Sequence, residues 1–240
     1  MSNFNNRATS FSSAASRTTT YDASLRAYMV QVYNFMSIAL AISGAVAFLV
    51  SSSSTLMAAI FGTPLAWVVM LAPLGFVIFM SSKFNSISSQ QAKTYLWIYS
   101  ALMGISLSTI FVVYTGTSVA RIFFITASVF GAMSLYGYTT KKDLTGMGSF
   151  LMMGLIGLII ASLVNIFLRS SALEFALSAI GVLIFIGLTA YDTQRIKQTY
   201  YHAAGNTEMV SKMAVMGALN LYMDFINLFL MMLRFFGDRK

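Results

Sequence analysis

The sequence predicts an all-α, polytopic membrane protein, and three observations carry that prediction. Apolar residues make up 58% of the 240-residue chain and charged residues only 9%, against about 25% charged in a soluble domain. So few charges cannot cover a water-facing surface, so lipid must be the solvent for much of the chain. The apolar residues also fall into runs of roughly 20, the length that crosses the hydrocarbon as a helix. Charges gather between these runs rather than along one face of each, which excludes a soluble helical bundle. A β-barrel is excluded too, because its strands are about ten residues long with alternating polarity.

The expected elements follow in order. Residues 1–21 are Ser-, Thr- and Asn-rich, lack the continuous apolar core of a signal peptide, and read as a disordered tail. Residues 22–240 form one transmembrane domain. Its first span is expected from Tyr28 to Val50, stopping at the serine run Ser51 to Ser54. A second is expected from Met57 to Met80, holding Pro64 near its start and Pro73 inside, where the missing N–H should kink it. Thr94 to Tyr114, Ile122 to Tyr138, Ser149 to Leu168 and Leu173 to Tyr191 are expected as the third to sixth. The last apolar stretch is Met213 to Leu233. Glycines inside the spans, such as Gly154, Gly157, Gly181 and Gly187, are expected to let helices approach closely.

Basic residues set the orientation. Arg7, Arg17, Arg26, Lys83, Lys93, Lys141, Lys142, Arg195, Lys197 and Lys212 fall on one side, against Arg121 and Arg169 in the opposite loops. The N-terminus is therefore expected in the cytoplasm. Arg234, Arg239 and Lys240 run against this pattern if the last segment crosses fully, so a returning segment stays open beside a crossing one. The net charge of +8 is a topology and anionic-lipid signal here, not a nucleic-acid footprint. The chain has no cysteine and one histidine, His202, which excludes thiolate sites and any site needing two imidazoles. No tightly bound cofactor is expected.

Most acidic residues have ordinary places: Asp22 and Asp238 near the termini, Asp143 and Glu208 in loops, and Glu174 at a helix start. Asp192 in IGLTAYDTQRIK and Asp224 in LNLYMDFINLFL do not. An ionisable group in a span costs at least about 2.5–3.5 kcal/mol, so it faces the protein interior with a partner. Both lie sixteen residues from Glu208, so an antiparallel hairpin turning there, with the sixth helix continued to about Tyr200, brings them level. The two carboxyls would then share a proton and titrate as a pair. With both charges present they would form a weak, incomplete oxygen site for Ca²⁺ or Mg²⁺. Asp192 also precedes Arg195 by three residues, the spacing of an ordinary ion pair on one helix face. Asn220 and Asn227 flank Asp224 one turn away and read as a lined cavity or an inter-helix network.

TAYDTQRIK followed by GALNLYMDFINLFLMMLRFFG resembles the C-terminal signature of the Bax inhibitor-1 family, the transmembrane Bax inhibitor motif proteins. The likeness extends to the layout of the whole chain, and its style is that of a bacterial member in the inner membrane. It implies a seven-helix bundle with the last helix at the centre of the other six. It also implies a pH-dependent Ca²⁺ leak with paired aspartates on the last two helices as sensor, positions that match Asp192 and Asp224. An arginine near the cytoplasmic end of the second helix is implied as a latch, and here only Lys83 stands in that region, a point charge without bidentate geometry.

The leading expectation is a non-enzymatic, proton-gated Ca²⁺ leak, closed at neutral pH and released by a changed protonation state. An alternative is an interaction protein that modulates a membrane-bound quality-control protease through its N-terminal tail. An intramembrane aspartyl protease is disfavoured: Tyr191-Asp192 fits one motif of that class, but no glycines surround Asp224.

Overall fold

The computed structural model describes residues 23–203 and 205–240 with their side chains, so the expected tail over residues 1–21 lies outside the described residues. Within them, seven helices are long and apolar enough to cross a membrane. The first, α1, is described from Ala23 to Ser51 and ends in the expected serine run. Ser53 then caps a short helix, α2 (Ser54–Phe61), by accepting from the Leu56 N–H.

The second apolar stretch is not one span. Its first residues form α2, and the crossing helix is α3 (Leu65–Lys83), entered at Pro64. The reason is local: a proline fits the entry of a helix but disfavours helical backbone in the residue before it, so Gly62-Thr63-Pro64 breaks the run. Pro73 lies inside α3 and is buried. The third span is divided into α4 (Ser89–Leu107) and α5 (Ile110–Val113), the break falling at Ser108 and Thr109. Then come α6 (Gly116–Thr139), α7 (Thr145–Leu168), α8 (Ser171–Ala203) and α9 (Thr207–Phe236). At 33 residues, α8 is about 50 Å long, so it continues well past its apolar run through the polar residues Thr193 to Tyr200.

The last helix, α9, runs the length of the bundle and is long and apolar enough to cross a membrane. Beyond α9, the Asp238 carbonyl accepts from the Thr115 N–H and the Lys240 N–H donates to the Val113 carbonyl. Ion pairs Arg121–Asp238 and Arg239–Glu174, each 2.9 Å, add to this clasp. These partners start α6 and α8, at the face opposite the one where α4, α7 and α9 begin. That second face carries Lys83, Lys93, Lys141, Lys142 and Lys197 and is called the basic face below. Of the terminal charges that argued against crossing, Arg239 and Lys240 are held in this clasp.

The centre of the bundle is α9. It packs against α1, α4, α6 and α8, while α3 leans on α4 and α7 leans on α8. Two-thirds of its most apolar window (67%) is buried, against 6% for α7. Four helices thus surround the last one and two stand outside. Large apolar side chains such as Trp67, Phe124, Phe150 and Phe167 are exposed around the circumference, which in water would be an interaction surface and here faces lipid.

Close approach depends on small residues. A methyl group at Gly137 would run into the Ala190 carbonyl, so α6 and α8 meet backbone to backbone there. At Gly104 it would come 2.7 Å from the Ser43 carbonyl of α1. Gly154, Gly181 and Gly187 are contact glycines as expected, whereas Gly157 faces open space.

Candidate functional site

Contacts between α8 and α9 fix their register. Gly217 lies against Ile196, and Gly181 against Met231, pairings that place Asp192 level with Leu221, about one turn from Asp224. The hairpin turns at Gly205, with φ +109, earlier than the turn at Glu208 that equal spacing required. The carboxyls still meet. Side chains lean toward the N-terminus of their own helix, so in an antiparallel pair Asp192 reaches away from the turn and Asp224 toward it. The two side chains lie side by side, close enough to share a hydrogen bond when one of them holds a proton.

Asp224 is 6% exposed, and its Oδ2 is buried with no protein N–H or hydroxyl donating to it. Arg195 is the cation whose charge reaches Asp192. Among the described residues the two come no closer than 4 Å, since the ion pairs there are the two of the C-terminal clasp. Arg195 instead lines a recess of about 340 Å³ on the basic side, together with Tyr28, Ser81, Thr199 and Asn220. The Tyr28 hydroxyl is a second buried, unpartnered polar atom. Asn227 is half-buried one turn beyond Asp224. Lys83 is exposed at the last turn of α3 and forms no ion pair with either aspartate.

The neighbours of the two aspartates hold the helices at the rotation the pair needs. On α8, Thr193 Oγ1 donates to the Thr189 carbonyl at 2.8 Å, so Ser134 donates to Thr193 at 2.9 Å and Tyr33 to Ser134 at 2.5 Å. Gln194 accepts from the Leu144 N–H and donates to the Lys142 carbonyl. Lys197 donates to the Tyr138 carbonyl at 2.8 Å and lies over its ring. On α9, Tyr222 donates to Ser43, whose hydroxyl donates to the Ser100 carbonyl at 2.7 Å. Sequence reasoning missed these residues. Hydroxyls in a span are too common to single out, although Gln194, a side chain with amide donors and acceptor directly after the aspartate, was a usable signal. At the hairpin end, Glu208 accepts from the Ser89 N–H and hydroxyl and so pins the start of α9 to that of α4.

No group of three or more His, Asp or Glu able to hold a metal ion occurs among the described residues. The pair can offer a cation two carboxyls, an incomplete ligand set.

Fold and site together define a class: a polytopic helical membrane protein whose last two helices bury a carboxyl pair. Residues 25–240 match the family described as inhibitor of apoptosis-promoting Bax1. The chain belongs to the Bax inhibitor-1 family. It is 52% identical over 225 residues to the uncharacterized protein RP147 of Rickettsia prowazekii, covering 94% of this chain and 95% of that protein. It is 46% identical over 220 residues to the inner membrane protein YbhL of Escherichia coli, covering 91% and 94% respectively.

Proposed function

We propose that the protein is a passive, pH-sensitive Ca²⁺ leak of a bacterial inner membrane, gated by Asp192 and Asp224, with its basic face in the cytoplasm. The observation that carries this reading is the burial of Asp224 directly beside Asp192, on the two helices that form the C-terminal hairpin. A closed, proton-holding pair joins α8 to α9. Removing the last shared proton leaves two negative charges in contact within a poorly solvated site, where Coulomb repulsion is weakly screened. Two outcomes relieve it: the helices part, or a cation takes the proton's place. Ca²⁺ suits the second, being a hard cation that prefers carboxylate oxygens, and the missing third ligand lets it leave again. The sign follows: the leak is low while the pair holds its proton and rises with pH as that proton is lost. The chemistry is binding and release; no bond of a substrate is broken.

The test is Ca²⁺ flux into proteoliposomes across pH. Asp192→Asn and Asp224→Asn should each flatten the pH response, because an amide donates to the remaining carboxylate without needing the proton. The double variant should add little to either. Strictly additive effects would mean two independent sites, and an unchanged pH profile in both single variants would end the reading.

A further inference from the structure

One face of α9 carries Asn220, Asp224, Asn227, Met231 and Arg234 at alternating spacings of four and three, the repeat that keeps side chains in line on a helix. The two ends of this line open into recesses. Asn220 lines the recess of about 340 Å³ on the basic side. Met231 and Arg234 line another of about 260 Å³ at the opposite face, walled by Ser162 and Asn165 of α7 and Glu174 and Ser178 of α8. The second recess is polar on a helix, α7, that is otherwise apolar and lipid-facing. Between the recesses stand the carboxyl pair and, one turn on, Asn227.

The element that separates Asn227 from the opposite-face recess is Met231. Its side chain is seated on Gly181: a methyl there would come 2.8 Å from Met231 Sδ and 2.9 Å from its Cγ, with Leu158 of α7 at 3.4 Å. The absence of a side chain at 181 is what makes room for the thioether at the junction of α7, α8 and α9. Methionine suits a removable stopper, since it is unbranched, apolar and has three rotatable bonds. An amide at 227 in an apolar helix is costly unless water or a partner reaches it. Its place between a carboxyl pair and a thioether stopper gives it a use when the stopper moves.

We propose that the α7–α8–α9 seam is the ion path and that Met231, seated on Gly181, is a second gate that closes it on the side away from the basic face. The proposal rests on the leak reading above and adds to it a path and a closure that do not titrate. The aspartates hold one end shut while they keep their proton, and Met231 holds the other by packing alone.

The chain has no cysteine, so single cysteines can be labelled in the otherwise unaltered protein. In lipid nanodiscs, where both faces are open to solution, a membrane-impermeant maleimide should label Arg234→Cys readily and Asn227→Cys hardly at all. Adding Met231→Ala or Gly181→Ala to Asn227→Cys should raise its labelling rate tenfold or more, the second because the added methyl displaces the methionine. Met231→Leu should leave Asn227→Cys protected, which separates a stopper from a general loosening of the fold. Asn227→Cys labelled equally fast with and without Met231→Ala would overturn the proposal, as would labelling that rises in Met231→Leu as much as in Met231→Ala. Ca²⁺ flux on the same proteins distinguishes the two levels. The labelling pattern without flux in any variant would sink the leak and leave the gate, whereas flux without the labelling pattern would sink the gate alone.

Discussion

α7 is the most apolar of the seven spans and the least buried, while α9 is the least apolar and the most buried. In a soluble protein the ranking runs the other way, because burial there is driven by removing apolar surface from water. In a bilayer the lipid is as apolar as leucine, so apolarity earns a helix a place at the lipid and not a place inside. The inside goes to the helix with polar groups to satisfy. α9 carries Asn220, Tyr222, Asp224 and Asn227, and four helices surround it. What holds that centre is packing and hydrogen bonding, for example Tyr222 to Ser43 and on to Ser100.

The comparison breaks if truncating a side chain costs the same in both helices. Leu221 of α9 is 0% exposed and Ile160 of α7 is 58% exposed. Leu221→Ala should lower stability by about 2–4 kcal/mol through the cavity it leaves. Ile160→Ala should change it by less than about 0.5 kcal/mol, since lipid fills the space as readily as it fills any surface groove. Unfolding in detergent or bicelles, followed by circular dichroism, measures both. Equal losses would mean that α7 is packed against something other than lipid.

A smaller effect sharpens the same contrast at glycines. Gly137→Ala forces a methyl into the Ala190 backbone of α8 and should cost about 1–3 kcal/mol. Gly157→Ala on α7 meets nothing within 4 Å and should be neutral or stabilising by up to about 1 kcal/mol, because alanine is the better helix former. Thermal midpoints of the two variants, compared with the parent protein, check the sign of each.

How far the sequence could see follows from the same physics. Asp192 and Asp224 were legible because a charge inside an apolar run has so few explanations. The seven apolar helices were legible from the lengths of the apolar runs. The break before Pro64 was readable in principle from the proline alone, but the apolar run on either side of it masked the turn. The register of α8 on α9 was not legible, because it is set by where Gly217 and Gly181 admit Ile196 and Met231, and a glycine does not announce what it faces. For the same reason Gly157 looked like a contact glycine and is not one. Arg239 and Lys240 misled while their partners, Glu174 and the Phe111 carbonyl, were unplaced.

The smallest expected effect concerns which cation tunes the pair, and it sets an inner helix against an outer one. Arg195 stands on α8, one turn from Asp192, in a recess it shares with Asn220, one turn from Asp224 on α9. Lys83 stands on α3, which leans on α4 rather than on α9, and its ammonium is in water. A positive charge near Asp192 favours the ionised carboxylate, so Arg195→Ala should make the last shared proton harder to remove. In the leak proposed above, that moves the rise in Ca²⁺ flux to higher pH. The shift is modest because the guanidinium is exposed: about 0.2–1 kcal/mol of interaction, which is a few tenths of a pH unit. Arg195→Lys, which keeps the charge, should restore most of it. Lys83→Ala should leave the midpoint where it is, since no field line of consequence runs from a solvated ammonium at the end of α3 to a pair enclosed by α8 and α9. Flux curves measured at low and at physiological salt decide the matter. A shift with Lys83→Ala larger than with Arg195→Ala would show that α3 swings against the pair during gating, and would move the outer helix into the mechanism.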